Sequence, residues 1–573
     1  MIQRVYRTFT PGWHHTMHDL AVRTVCGYFA NVMQRNNFKK KQPLALLLKA
    51  YKAILLGAIC GLLPLSLTAQ PNPSSESPGS TAPALPLLGD SSDMSSNAER
   101  NLGDRIAREL YRDPDYLDDP VLGDYVQGVW QPLLAAARQR GDLTPELDER
   151  FAWQILLGRD RTVNAFALPG GYLGVHLGLL AVVSSRDELA SVLGHEMSHV
   201  TQRHISRLMS KNSQQTPWMI GAMILGALAA SKSPDAANAL IVGGQAVSAQ
   251  NQLNFSRDME READRVGFGV MTQAGFEPLG FVTMFDKLQQ ASRLNDNGGY
   301  PYLRSHPLTT ERIADMQSRL PLGTPHNPDV VVTMLHAMMA ARARVLSNPG
   351  VDALRTWQVQ ANDPKLLAKT PAEQAGVLYG ATLAASQLRE TAQARQHWQR
   401  LHSLTAADTQ ATQQVQWLRA EIGLAARDLN RQQLLNLSSD IAPPAATIVR
   451  RPELLLQAQL AQQAGQDALL NNAAQRLQTW VASHPQDALA WQELASVYGA
   501  QNQILRALRA EAEVQVARLD YPAALDRLKA AQDQSHTAPN TSAGHIDASI
   551  IDTRRRQIEA LLKQQTLDRG VDH

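Results

Sequence analysis

Two histidines four residues apart, His195 and His199, enclose the acid Glu196 in the stretch Leu193-Gly-His-Glu-Met-Ser-His199. For both imidazoles to serve one centre the stretch must be a helix, since a helical turn of about 3.6 residues stacks positions i and i+4 on one side. Leu189, Leu193, Met197 and Val200 then form a neighbouring apolar face, and Ser185-Arg-Asp-Glu188 reads as a capping box at the helix start. The expectation is a helix packed on one side that presents both imidazoles on another.

Imidazoles so placed can bind one Zn²⁺ at about 2.0–2.1 Å each. Glu196 cannot easily join them as a ligand and is placed instead as the catalytic base that holds a water and takes its proton. A chance pentapeptide on an ordinary amphipathic helix would look the same, so a third ligand is needed. Downstream, Ser256-Arg-Asp-Met-Glu260-Arg-Glu-Ala-Asp264 is a helical stretch that sets Glu260 and Asp264 one turn apart. Glu260 fits the third ligand, and Asp264 fits an acceptor, or a proton donor, that orients an imidazole N–H. Arg257, Arg261 and Arg265 would equally suit a solvated charged helix, but that reading leaves the conjunction of the two segments unexplained. His204, projected along one continuous helix, falls opposite His195 and reads as a packed or surface residue. His176 ends a strand and reads as structural.

Residues 1–69 hold nine Lys/Arg and one acid, and an apolar run from Ala53 to Leu67 leads into Thr68-Ala69-Gln70. That is the basic, apolar and small-residue order of a cleavable secretory signal, with an uncleaved N-terminal anchor as the alternative. The basic region is long, so translation starting at Met33 instead of Met1 would give an ordinary signal. Cys26 and Cys60 both lie in this part, so the exported chain would need no disulfide and could not use a thiol nucleophile. It would keep 46 of the 55 basic and 52 of the 53 acidic side chains, a formal charge of −6. That balance argues against nucleic acid as a partner.

The Pro/Ser/Gly-rich residues 70–97 read as a flexible linker. A catalytic domain is expected over 98–325, of α+β type: mostly helical, with short strands at Phe151–Leu157, Val163–Leu168 and Tyr172–Val175. Pro169-Gly170-Gly171 supplies turn chemistry between the last two. Residues 217–247 are small and apolar, too short on either side of Ser231–Pro234 to span a membrane. They read as a buried helical hairpin, or as a lipid-facing or mobile flap. From 329 to 535 the pattern becomes an all-α solenoid of tetratricopeptide type. Its clearest unit is Trp491-Gln-Glu-Leu494-Ala-Ser-Val-Tyr498, with weaker units at Gly376–Arg400 and Pro452–Trp480. The polar tail 536–573 shows at most one helix, at Ile551–Gln564.

His195-Glu196-x-x-His199 with Glu260-x-x-Ala263-Asp264 resembles the gluzincin metallopeptidases of the CaaX prenyl protease and HtpX type. Asn164-Ala-Phe-Ala-Leu-Pro-Gly-Gly-Tyr172 and Ser305-His306-Pro307-Leu-Thr-Thr-Glu-Arg312 resemble an exported, repeat-bearing branch of that family. The resemblance implies one zinc per subunit and a substrate that adds as an extra strand along Tyr172, Leu173, Gly174 and Val175. It implies that the apolar segment after the HExxH helix plugs or covers the cleft, and that peripheral membrane contact is open to it. It places His306 in a loop able to reach the metal as a regulatory fourth ligand, where it would hold the enzyme latent. Arg312 would contact either the carboxylates of the cleft or a developing oxyanion, with a salt bridge at a helix start as the plain alternative.

The function implied is periplasmic zinc endopeptidase activity on misassembled or stalled outer-membrane proteins. The repeats would engage the β-barrel assembly machinery. The competing expectation is a chaperone or assembly adaptor that works through its repeats with proteolysis minor. A membrane-embedded prenyl-protein protease is disfavoured, because no segment after the signal is long enough to span.

Overall fold

The computed structural model describes residues 94–211, 256–293, 299–323, 332–442, 449–537 and 542–570. The signal, nearly all of the linker and the apolar segment 217–247 lie outside the described residues.

Helix α1 (Ser96–Arg112) starts where the Ser95 hydroxyl accepts from the Ala98 amide. After the short strand β1 (Tyr116–Leu117), helix α2 (Pro120–Arg140) has Asp119 as its cap and Pro120 at its first position, and it ends on Gly141 at φ 77°. A capping acid, a proline that needs no amide partner and a left-handed glycine are the local signals that fix those two ends.

Strands β2 (Gln154–Gly158), β3 (Ala165–Leu168) and β4 (Tyr172–His176) complete a four-stranded sheet of order β1-β2-β4-β3. β3 and β4 form an antiparallel hairpin around the turn residues Pro169–Gly171, where Gly170 and Gly171 sit at φ 71° and 84°. β1 was not legible because its two residues carry no alternation.

The expected edge strand is not at the edge. Tyr172, Leu173, Gly174 and Val175 pair with β2 in parallel on one side and with β3 on the other, so β4 has no free backbone groups to offer a substrate. All five residues of β4 are buried, as befits an internal strand whose two faces are both covered. Among the described residues the outer strand on that side of the sheet is β3, which packs against the HExxH helix.

That helix, α3 (Arg186–Thr201), is capped by Ser185, whose hydroxyl accepts from Glu188 N at 3.1 Å. Glu188 reaches back one residue further than a capping box requires, to the Ser184 amide at 2.6 Å, and also meets Lys287 Nζ at 2.5 Å. Every residue from Glu188 to Thr201 is buried. The helix is therefore the axis of the domain and not a one-sided surface helix. It is packed by α4 (His204–Lys211), α5 (Arg257–Gln273) and α6 (Leu279–Arg293), and α7 (Thr310–Ser318) packs in turn on α5 and α6.

From Met334 on, the described chain is helical, running from Met334–Ser347 through Pro371–Gln387, Thr391–Thr405, Arg451–Ala464 and Ala488–Ala500 to Ser542–Gly570. Most of these helices pack on their sequence neighbours, while Met334–Ser347 packs on Pro371–Gln387. The last is longer than the tail pattern suggested. Ile551 and Ile558, seven residues apart, are its buried contacts with the helix Tyr521–Thr537, and its other positions are mostly polar.

The array also returns to the start of α2, where acids receive its arginines. Arg342 forks onto Asp119 at 2.8 and 2.7 Å and reaches Glu421 at 2.8 Å and the Tyr379 hydroxyl at 3.0 Å. Arg451 bridges Asp118 and Asp487, each at 2.8 Å, and Arg450 pairs with Asp124. Among the described residues no helix is long and apolar enough to cross a membrane.

Candidate metal centre

Glycine sets the depth of the site. α3 and α5 cross at Gly194 and Gly267, where a Cβ on Gly267 would stand 2.9 Å from the backbone of Gly194 and His195. Glu260, Asp264 and Gly267 share one face of α5 at i, i+4 and i+7, so this backbone contact brings both acids against the imidazoles of α3. The Ser256 hydroxyl caps α5 by accepting from Met259 N.

His195, His199, Glu260 and His306 converge so that one ligand atom from each lies within 4.8 Å of the others, all four buried. His195 Nε2 is 3.0 Å from His199 Nε2, 3.3 Å from His306 Nδ1 and 3.6 Å from Glu260 Oε2. Glu260 Oε1 is 3.4 Å from His199 Nε2 and 3.0 Å from His306 Nδ1. Four ligands around a tetrahedral zinc at about 2.0–2.1 Å would stand roughly 3.4 Å apart.

The donor chemistry fits a cation. His195 Nδ1 faces outward to Asp264 Oδ1 at 2.9 Å, and His199 Nδ1 faces outward to His204 Nδ1 at 2.9 Å. With protons on those outer nitrogens, the two Nε2 lone pairs and the Glu260 carboxylate point at one another, which is tolerable only around positive charge. Glu196, fully buried beside them, accepts no hydrogen bond from the described residues at either carboxylate oxygen, and His306 Nε2 stands 3.5 Å from its Oε1. A buried carboxylate without a donor is costly unless something else supplies the compensation.

Arg312 is engaged with carboxylates. Its Nε and Nη2 donate to Asp264 at 2.6 and 2.7 Å, its Nη1 donates to the Pro307 carbonyl at 2.8 Å, and Nη1 also lies 2.8 Å from Glu260 Oε2. The oxyanion role is thus not supported: the guanidinium is buried and its fork is committed to Asp264. The helix-start position does matter, because the Thr309 hydroxyl accepts from Arg312 N and fixes where α7 begins.

Charges follow this geometry. Burial raises the Asp264 carboxyl, but Arg312 and His195 outweigh it and hold it below the ordinary range. Burial, then the neighbouring imidazoles, push His199 well down. Burial would lower His306, yet the Glu196 and Glu260 carboxylates win and hold it up. Tyr302 stacks on the His306 ring at 4.6 Å between centroids.

The structure therefore brings together His195, Glu196, His199, Glu260, Asp264, His306 and Arg312, and leaves Tyr172–Val175 inside the sheet. Two contributors were missed. The Gly194/Gly267 contact has no motif of its own, although Gly267 lies three residues past Asp264 on the same helical face. His204 is fully buried on His199, because α3 stops at Thr201 and the chain turns at Arg203 with φ 52°. No Gly or Pro marks that turn. It is held from a distance by the Arg203 guanidinium on Glu99, so a projection along one straight helix misplaces His204. Burial pushes the His204 imidazole down to about 4.

Comparison with known proteins accords with this arrangement. The sequence profile of peptidase family M48 matches residues 142–320, which hold all seven converging residues. The chain is 31% identical over 268 residues to the beta-barrel assembly-enhancing protease of Escherichia coli, covering 46% of this chain and 52% of that protein. It is 30% identical over 317 residues to the protein of the same name from Yersinia pestis, covering 54% and 61%. It is 27% identical over 201 residues to the mitochondrial metalloendopeptidase OMA1 of Saccharomyces cerevisiae, covering 34% and 55%. The chain thus spans a little over half the length of these curated relatives. With the cluster and the profile in agreement, residues 142–320 belong to peptidase family M48.

Proposed function

We propose that the chain is an exported zinc endopeptidase of outer-membrane protein quality control. The observation that carries this reading is the convergence of His195, His199 and Glu260 beside a buried Glu196 that no donor among the described residues serves. His195, His199 and Glu260 hold the ion, and zinc bound there supplies Lewis acidity, polarising a carbonyl oxygen and making a water molecule a stronger acid. Glu196 takes the proton of the attacking water and delivers it to the leaving amine nitrogen. Asp264, held by Arg312, keeps the His195 Nδ1 proton outward so that Nε2 faces the ion. The substrate backbone runs along the outer strand β3, which packs on α3.

His306 occupies a fourth position and holds the enzyme shut until its loop withdraws. Its ring sits within the ligand cluster, stacked on Tyr302.

The substrates are misassembled or stalled outer-membrane β-barrel proteins, met in the periplasm. The support is the name borne by the E. coli and Yersinia relatives, together with the signal-like N-terminus. The helices after Met334 are a tetratricopeptide-like solenoid that brings the enzyme to the assembly machinery. Trp491–Tyr498 lies in the helix Ala488–Ala500 and is followed by Ile504–Ala517, the helix pair that the repeat requires.

Incubating the zinc-loaded chain with an unfolded outer-membrane β-barrel protein, and separately with an unfolded soluble protein, tests the reading. Chelator-sensitive cleavage that favours the barrel protein is expected. Cleavage of neither would contradict the protease assignment, and equal cleavage of both would contradict the substrate class. The adaptor reading is favoured only by the size of the helical array. It predicts that a Glu196→Gln chain would still correct an outer-membrane assembly defect.

A further inference from the structure

The two imidazoles of the HExxH helix are backed differently. Behind His195 stands an anion, Asp264, fixed by the Arg312 fork. Behind His199 stands another imidazole. His204 Nδ1 lies 2.9 Å from His199 Nδ1, with the rings edge to face, and on its far side His204 Nε2 lies 3.1 Å from Glu262 Oε2. The same Glu262 oxygen accepts from Arg207 Nη1 at 2.9 Å. Arg207 and His204 both belong to α4, whereas Glu262 belongs to α5, between the acids Glu260 and Asp264 that face the cluster.

Two nitrogens facing each other at 2.9 Å share one proton between them. Were it on His204 Nδ1, a neutral His199 would carry its own proton on Nε2, directed into the cluster, and could not ligate through that atom. Were it on His199 Nδ1, the Nε2 lone pair is free for a metal and His204 must carry its proton on Nε2. A carboxylate at Glu262 accepts only, so it draws the His204 proton to Nε2 and selects the second arrangement. Arg207 in turn fixes the carboxylate.

We propose that His204, held by Glu262, is a positioning residue for the metal centre that sets the tautomer and orientation of His199. The proposal rests on the reading of His195, His199 and Glu260 as zinc ligands. Residues that orient a ligating histidine are generally worth 10–100-fold in metal affinity. A neutral ring can serve here because the direction of the chain is set at its outer end, where the Glu262 side chain is 38% exposed.

The test is the zinc dissociation constant, read by competition with a chromogenic chelator in the full chain. His204→Phe keeps the ring volume and loses the acceptor. It should weaken zinc by about 10–100-fold. His204→Gln, which can accept from His199 and donate to Glu262, should recover most of that loss, a rescue that simple space-filling would not give. Glu262→Leu changes a partly exposed position and does not depend on the buried ring being replaced. It should weaken zinc in the same direction. Wild-type affinity in His204→Phe, or a Gln variant no better than Phe, overturns the proposal, as does wild-type affinity in Glu262→Leu. His199→Ala is the reference: if it binds zinc as tightly as wild type, the ligand assignment itself fails, an outcome distinct from failure of the positioning role.

Discussion

Arg312 sets two nitrogens on the carboxylate of Asp264, at 2.6 and 2.7 Å, and the Asp264 oxygen that accepts from Nη2 also meets His195 Nδ1 at 2.9 Å. One guanidinium thus fixes the acid that faces His195, a proposed ligand. Arg312→Met would leave that acid buried without its cation. Loss of one partner of a buried pair costs about 3–5 kcal/mol, so urea unfolding should show a lower midpoint, and zinc affinity should fall by about tenfold or more. Arg312→Lys should not restore either, because an ammonium cannot make the fork.

Removing the fourth imidazole should speed the enzyme. His306→Ala opens the position that a water must occupy in a catalytic site. Degradation of an unfolded substrate is expected to rise by about 5–150-fold at equal zinc content, the range of the roughly 1–3 kcal/mol typical of coupled switches. Unchanged or slower turnover would argue that His306 is a structural loop residue.

The glycine crossing predicts a steric lesion away from any ligand. Gly267→Val would force α3 and α5 apart, because even the first carbon meets the backbone of Gly194 and His195 at 2.9 Å. A cost of about 1–3 kcal/mol is expected from overpacking. Zinc binding should weaken with it, measured by thermal unfolding and chelator competition on the same sample.

A pH dependence should arise where the helical array meets the catalytic domain. His336, on the helix Met334–Ser347, faces the Tyr125 hydroxyl through Nδ1 at 2.6 Å and donates from Nε2 to the Val183 carbonyl at 2.7 Å. Burial holds it below its ordinary value, with Val183 and Glu188 only partly opposing. The folded chain therefore prefers the neutral ring, and its stabilisation is complete above the unfolded value of about 6.5. It is lost as pH falls from there toward the lower folded value. The advantage in melting temperature of wild type over His336→Phe should shrink as pH falls below 6.5. A difference independent of pH would contradict this.

The sequence pattern carried the site further than it carried the fold. Helical spacing was enough to pair His195 with His199 and Glu260 with Asp264, because those relations are local to one turn. Relations that depend on how elements cross were not legible. The depth of the α3–α5 contact hangs on Gly194 and Gly267, and the break after Thr201 hangs on a salt bridge to Glu99, 104 residues away. Strand order is a property of pairing, and nothing in Tyr172–Val175 records that β2 lies on the other side of β4.

In the proposed mechanism Glu196 is the base, and the metal is held by other residues. Zinc content and cleavage of one unfolded β-barrel substrate, measured on the same preparations of wild type and Glu196→Gln, test it most directly. Equal zinc in both, with cleavage reduced by about 10²–10⁴-fold in the variant, is the predicted result. Cleavage by clean Glu196→Gln protein at a rate near wild type would rule out Glu196 as the base.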